Sequence, residues 1–271
     1  MKRIFGNFRA QQKTREALIR TPLMRSLCLV GPAHIGKATF LSELLSELVP
    51  DTDLLFTESG VESAKEAVEF CKTQPLLGAS RYVVVNDAHL LTEGAQDAYL
   101  KLLEEPGNHS CIIFVTSDDG LLQPAIKSRF RSIIQWISLS PEEMIDFAIS
   151  LNVSESNILT LCDGKPGLFR FMIENDGSQY FELNDFLFQV LEGKKNPLTD
   201  LVPDVIKDAK DQMQRECVAH ICRRSALSVS KTKTILTSKI VFLLKYSSLL
   251  ISLPSANSEL HWLQTATHLT L

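Results

Sequence analysis

Short apolar runs rich in β-branched residues alternate, over the first half of the chain, with segments whose apolar positions recur every three or four residues. Tyr82–Val85 is such a run and stops at Asn86-Asp87. Cys111–Val115 is another and stops at Thr116-Ser117-Asp118-Asp119. A strand covered on both faces reads as continuously apolar rather than alternating, so both are predicted as buried parallel strands. Leu27–Val30, Asp53–Thr57 and Ile133–Ile137 are predicted strands of the same sheet. Helices are predicted between them. The first follows a short leader and ends near Arg20, the second runs through Leu41–Val49, and the third covers Val61–Thr73. In the fourth, Leu90, Leu91, Ala95, Ala98, Leu102 and Leu103 keep helical spacing up to Pro106. Strand and helix in alternation predict an open α/β sheet, whose polar strand ends line the ligand edge.

Beyond the last strand the pattern turns wholly helical. Ser140-Pro-Glu-Glu143 opens a helix, with Ser140 as N-cap, Pro141 at the first helical position and Glu143 completing a capping box. Three short helices are predicted over Pro141–Asn175: Glu142–Leu151, Glu155–Cys162 and one from near Pro166, the last two joined by a turn at Gly164 and Pro166-Gly167. The turn-forming cluster Asn175-Asp-Gly-Ser178 marks a boundary. Phe181–Leu191, Leu201–Ala209, Gln212–Arg224, Val229–Leu253 and Ser258–Leu271 then read as helices, the last capped by Ser255 or Asn257. The expected division is an α/β domain over 1–138, a small helical segment over 139–177 and an all-helical domain over 178–271.

Composition narrows the function classes. A net charge of −4 in 271 residues does not describe a stand-alone nucleic-acid binder. The six cysteines lie far apart, and Cys28, Cys111 and Cys162 fall within apolar runs, as expected of reduced core residues in the cytoplasm. Cys217, His220 and Cys222 fit no standard zinc spacing. The N-terminus lacks an apolar stretch of signal-peptide length, and Ile240–Leu253 is too short and too interrupted to span a bilayer; no membrane association is expected. The basic residues Lys231, Lys233, Lys239 and Lys245 read as a solvated helix face rather than as a DNA contact.

The candidate chemistry sits at the strand ends. Leu27–Val30 leads into Gly31-Pro-Ala-His-Ile-Gly-Lys37, and strand, glycine loop and helix in that order is the context of a phosphate-binding loop. Gly31 and Gly36 let backbone N–H groups turn inward, and Lys37 supplies a point charge for phosphates. The next position calls for a magnesium-binding hydroxyl but holds Ala38. Thr39 follows one residue late, about 100° further around the helix. His34 and His89 flank this cleft and read as structural. No Ser-His-Asp or Cys-His arrangement stands out.

The residues from Arg81 to Arg131 resemble the clamp-loader branch of the AAA+ ATPases, and within it the delta-prime subunits of bacterial DNA polymerase III. The resemblance rests on the strand ending in Asp87-Ala88, on the Ala98-Tyr-Leu-Lys-Leu-Leu-Glu-Glu-Pro106 helix and on Leu122-Gln-Pro-Ala-Ile-Lys-Ser-Arg-Phe130. It extends from about Phe5 to about Gly177 and fades beyond. Phe130 departs from the family's usual cysteine. The fold implied is an α/β P-loop AAA+ domain with a parallel sheet, followed by a small helical lid and an all-α C-terminal collar that joins five subunits.

The resemblance also implies roles. Asn86 falls where active relatives place the magnesium-holding aspartate, and Asp87 falls where they place a catalytic glutamate. A neutral amide is a poor ligand for a hard dication. With Ala38 and Asn86 both altered, hydrolysis of ATP is not expected. Leu168 stands where active relatives carry a nucleotide-touching arginine, with Arg170 two residues off. Two readings of the glycine loop stay open: a tight turn that binds nothing, or ATP bound at Gly31, Gly36, Lys37, Ala38, Thr39, Asp87 and Thr116 without hydrolysis. Thr116 has its own pair of readings, a sensor of the γ phosphate or a turn residue. No zinc is expected, because Val49–Val61 lacks the cysteines of the zinc module many delta-prime subunits carry.

Ser128-Arg129 matches the motif whose arginine reaches a neighbouring subunit's ATP, an arginine finger acting in trans; a local ion pair is the alternative. The partners implied are the tau/gamma motor and delta subunits, the sliding clamp and, through the assembly, primer–template DNA. Two other functions compete. One is an active AAA+ ATPase, a motor or DNA-remodelling enzyme, with a metal site shifted to Thr39 and Asp87. The other is a non-replicative scaffold on the same fold.

Overall fold

The predicted apolar runs form five strands: β1 (Ser26–Val30), β2 (Leu54–Thr57), β3 (Arg81–Val85), β4 (Ser110–Thr116) and β5 (Ser132–Gln135). They appear in a computed structural model that describes residues 4–20, 26–57, 59–105, 109–153, 156–192, 194–195, 203–207, 209, 211–230, 237–252, 262 and 265. All pair in parallel, in the order β2-β3-β4-β1-β5. The chain therefore leaves β1, crosses to the far edge at β2, returns through β3 and β4, and ends on the other side of β1. The strand order reverses beside β1, and the crevice at such a switch point is the expected ligand position.

Among the described residues the helices are α1 (Phe8–Arg20), α2 (Lys37–Leu48), α3 (Val61–Lys72), α4 (Glu93–Glu104), α5 (Pro124–Arg129), α6 (Pro141–Ser150), α7 (Ser156–Leu161), α8 (Pro166–Glu174), α9 (Gly177–Leu191), α11 (Gln212–Ser230) and α12 (Thr237–Ser252), of which α5 was not expected from the sequence. The remaining helix, α10, is a single turn at Asp204–Lys207, much shorter than the predicted Leu201–Ala209. The chain divides into two compact units, Met1–Phe147 with Gly164–Pro166, and Ala148–Asp163 with Gly167–Leu271.

In the first unit both faces of the sheet are covered, which explains the continuous apolar runs. Cys28, Val30, Val83, Val85, Ile112 and Phe114 face α3 and α4 through Ala64, Ala67, Ala95, Tyr99 and Leu103. The alternate residues Leu27, Leu29, Val84, Ile113 and Val115 face Phe40, Leu41, Leu44 and Leu45 of α2 and Ala10 and Leu18 of α1. Phe130 belongs to this packing as well. Its ring stands edge-on to Phe114, centroids 5.1 Å apart, and Phe114 meets Tyr99 at 5.3 Å. An aromatic residue thus fills the space at this departure from the family pattern. The capping box forms as predicted: Ser140 N–H donates to Glu143 Oε2 (2.9 Å) and Glu143 N–H to Ser140 Oγ (3.2 Å).

In the second unit α9 packs on α7, α10 and α11, and α11 lies along α12. Phe186, Phe242, Tyr246 and Trp262 form an aromatic cluster at its centre. Two boundaries differ from expectation. α9 begins at Gly177, inside the turn cluster, because Asp176 turns the chain in the left-handed region (φ 52°) and accepts hydrogen bonds from Ser178 Oγ and Gln179 Nε2. Gly177 is needed there, since a Cβ would collide with Ile158 Cδ1. α11 runs past Arg224 to Ser230, as Ser228 Oγ bonds back to the Ser225 carbonyl at 2.8 Å instead of capping the helix. Of the predicted Val229–Leu253 helix, Val229 and Ser230 fall in α11 and 237–252 in α12, and residues 231–236 lie outside the described residues. Pro106, Lys231, Lys233, Pro254, Ser255, Asn257 and most of Ser258–Leu271 lie outside the described residues. None of the described helices is long and apolar enough to cross a membrane.

Candidate functional site

The predicted site residues fall on opposite edges of the sheet. At the C-terminal edge, β1 ends in the glycine loop. Gly31 has φ 153°, and a Cβ there would strike the carbonyl oxygen of Trp136, so only glycine fits. Its N–H donates to the Thr116 carbonyl at 3.2 Å, which fastens the loop to the end of β4. His34 (φ 63°) and Gly36 (φ 93°) complete the turn into α2.

Lys37 folds back into this loop. Nζ donates to the Gly31 and Pro32 carbonyls, both at 2.6 Å, and the residue is only 6% exposed. Burial pulls its pKa down to about 8 from the usual 10.5, although the nearby Asp87 carboxylate pulls the other way. Lys37 and Asp87 thus share one electrostatic neighbourhood. Asp87 itself is exposed, with φ 46°, in the turn after β3.

The residues at the two positions where the resemblance implies magnesium ligands do not suit a hard dication. Ala38 is exposed and offers no oxygen; Thr39 is exposed beside it. Asn86 brings a neutral amide whose Oδ1 is buried without a hydrogen-bond partner. The glycine loop and Lys37 remain fit to hold phosphate oxygens, and a hard dication is left with Asp87 alone. Thr116 Oγ1 is engaged in its own turn: it donates to the Asp118 carbonyl (2.9 Å) and accepts the Asp118 N–H (3.2 Å). This is the geometry of the turn reading.

At the N-terminal edge lies Arg129, the last residue of α5. Its carbonyl accepts a hydrogen bond from Ser26 Oγ at the start of β1 (2.9 Å). Its guanidinium points outward. Nη2 pairs with Glu104 Oε1 of α4 at 2.9 Å and Nη1 donates to Ser128 Oγ at 3.3 Å, with the Arg129 and Glu104 side chains 44% and 43% exposed. An ion pair this exposed is worth about 0–1 kcal/mol, so a stronger anion can displace it.

Sequence reasoning missed the residue that sets this helix in place. Gln96 of α4 is buried. Its Nε2 donates to the carbonyls of Leu91 and Leu121, both at 3.2 Å, and its Oε1 accepts the Gln123 N–H that precedes α5, at 2.8 Å. Gln123 Nε2 in turn reaches Asp97 Oδ1 at 3.1 Å. A glutamine on a helix signals nothing by itself; its one cue is its place among the apolar positions Leu91, Ala95 and Tyr99.

In the second unit Leu168 is buried and Arg170 is exposed, paired with Glu174 at 2.8 Å. Cys217 and Cys222 are buried thiols, and burial raises both pKa values, that of Cys222 to about 12. His220 Nε2 lies 3.0 Å from the Leu161 carbonyl. Among the described residues no group of three or more His, Cys, Asp or Glu side chains is placed to hold a metal ion.

Residues 43–139 match the family described as DNA polymerase III, delta subunit. The Escherichia coli K12 DNA polymerase III subunit delta' is 30% identical over 125 residues, 44% of this chain and 37% of that one. The gamma/tau subunit of Mycobacterium bovis is 32% identical over 73 residues, 27% of this chain and 13% of that one. The aligned segments thus span about a third or less of these relatives. A crystal structure of a DNA polymerase III gamma subunit-related protein from Thermotoga maritima superposes with a TM-score of 0.53 at 17% identity, covering 96% of this chain and 98% of that one. That likeness, with the parallel strand order and the glycine loop, makes the fold that of the P-loop AAA+ proteins. In its α/β portion the chain is thus similar to a DNA polymerase III delta' subunit, over 37% of that protein's length.

Proposed function

We propose that the protein is a delta-prime-like clamp-loader subunit that does not hydrolyse ATP and that lends Arg129 to the ATP site of a neighbouring motor subunit. The helices over 139–177 serve as its lid and those over 178–271 as the collar that joins it to four other subunits. Its partners are the tau/gamma motor and delta subunits, a sliding clamp and, through the assembly, primer–template DNA, in the cytoplasm. The observation that carries this reading is the contrast between Arg129 and Lys37. The arginine is exposed on a short, rigidly seated helix, held by a surface ion pair and a hydrogen bond to Ser128 Oγ. The lysine is buried against loop carbonyls, beside an alanine and an asparagine where metal ligands are required.

The role asked of Arg129 is electrostatic. Its planar, permanently charged guanidinium exchanges Glu104 for the phosphoryl oxygens of the neighbour's ATP and stabilises the charge that grows there during transfer. Ser128 Oγ, which donates to the Ala125 carbonyl at 2.8 Å, is left to accept from the guanidinium and steady it.

The test is reconstitution. Mixed with purified motor and delta subunits at micromolar concentration, the protein is expected to join a stable complex, while alone it shows no magnesium-dependent ATP hydrolysis. Failure to assemble, or hydrolysis by the isolated protein that Lys37→Ala abolishes, overturns the proposal.

A further inference from the structure

Glu104 is a charge that its own helix does not call for. It is the last residue of α4, and Glu105 caps that helix. The C-terminal end of a helix carries partial negative charge and favours cations, a preference that Lys101 meets in the same turn. A carboxylate at this end is repelled. The core does not call for Glu104 either, since its side chain is exposed. Among the described residues its carboxylate makes one bond, Oε1 to Arg129 Nη2 at 2.9 Å, and Oε2 has no partner.

Arg129 has the opposite setting. Its backbone is fixed. Ser26 Oγ holds its carbonyl at 2.9 Å, and Gln96 Oε1 holds the start of α5 through the Gln123 N–H at 2.8 Å. Only the guanidinium is left to choose a partner. It spends one N–H on Glu104 and one on Ser128 Oγ, and its other N–H groups stay open.

We propose that Glu104 is an autoinhibitory latch, which holds the Arg129 guanidinium aside until the phosphoryl group of a neighbour's ATP displaces it. The inference rests on the proposed role of Arg129 and adds the control of that role. Glu104 acts on the reaction only through Arg129, so it is a positioning residue. Two considerations fix the sign of its effect. The carboxylate brings one negative charge and a single contact, whereas a terminal phosphoryl group brings about two charges and several oxygens to the planar fork. The phosphoryl group therefore wins when it arrives. A carboxylate that stayed on the guanidinium would also repel the charge that grows on those oxygens. Glu104 must let go, and its exposed side chain has water to swing into. Because an exposed ion pair is weak, the latch slows the neighbour's reaction by a few-fold and does not block it.

The experiment is single-turnover ATP hydrolysis by the reconstituted complex, built with the wild type, Glu104→Gln, Arg129→Ala or the double variant Glu104→Gln/Arg129→Ala. Glu104→Gln removes the charge at an exposed position and is expected to fold and assemble as the wild type does. It is expected to raise the hydrolysis rate about threefold, and the gain is expected to shrink as salt screens the pair in the wild type. In the double variant the gain is expected to vanish, leaving the rate of Arg129→Ala alone. An unchanged or lower rate with Glu104→Gln, beside a large loss with Arg129→Ala, overturns the latch and leaves the proposed function standing. A gain that persists without Arg129, or that salt does not alter, also overturns the latch. If Arg129→Ala hydrolyses ATP as fast as the wild type, the proposed function fails and the latch with it.

Discussion

The two edges of the sheet use positive charge in opposite ways. At the C-terminal edge Lys37 is buried, bonded to two carbonyls of its own loop, and its pKa is drawn down to about 8. At the N-terminal edge Arg129 stands in solvent, paired with one exposed carboxylate. Burial makes the lysine part of the fold; exposure leaves the arginine free to change partners. The glycine-loop backbone is thus kept with its lysine bonded to the loop's own carbonyls. The glycine loop is needed for the strand-to-helix turn whatever it binds, because Gly31 presses against the Trp136 carbonyl. The Arg129 side chain, by contrast, bonds to the exposed Glu104 and Ser128 at the surface.

The first way to break this comparison is Gly31→Ala. With φ 153° and a backbone oxygen in the path of the new Cβ, it is expected to cost about 4 kcal/mol or more in denaturant unfolding. A cost below about 1 kcal/mol contradicts the structural role given to the loop.

Lys37→Met, compared with wild type across pH, sharpens the other half. Between about 8, the folded value, and about 10.5, the unfolded one, the unfolded chain keeps a proton that the folded protein has lost. Wild-type stability therefore gains on the variant as pH rises through that window, by about 3 kcal/mol in all, and the difference is flat below pH 7. A difference that does not change with pH means that Lys37 is not buried as a charge.

Gln96→Leu removes three hydrogen bonds behind the arginine helix and strands the Gln123 N–H. Urea unfolding is expected to show a loss of about 2 kcal/mol. Glu104→Gln has the smallest effect, under about 1 kcal/mol, because its ion pair is exposed. A loss of 2 kcal/mol or more shows that Arg129 is anchored rather than poised.

What the sequence made legible follows from how local each signal is. The strands were readable because a strand buried on both faces cannot hide its composition: Val83, Val84 and Val85 pack alternately to opposite sides. The Ser140–Glu143 capping box was readable because both bonds close within four residues. The glycine loop was readable as a strand-to-helix turn because Gly31, Gly36 and the start of α2 lie next to one another in the chain. The burial of Lys37 was not, since charge alone suggests solvent. Asp53 and Gln96 were invisible as well. Both are polar residues with bonds to partners 23 to 27 positions away, beside the Gln96 bond to Leu91, and no periodicity marks such distant contacts. The end of α11 was placed too early, at Arg224, since no local signal shows that the helix continues to Ser230. Ser225 and Ser228 bond within or beside their own helix.

The central claim is that this chain's reactive charge serves a neighbour. Steady-state ATP turnover by the reconstituted complex, with wild-type protein or with Arg129→Ala in its place, tests it most directly. The account predicts intact assembly and a fall in turnover of about a thousandfold at the neighbouring site. Equal turnover by the two complexes would contradict it.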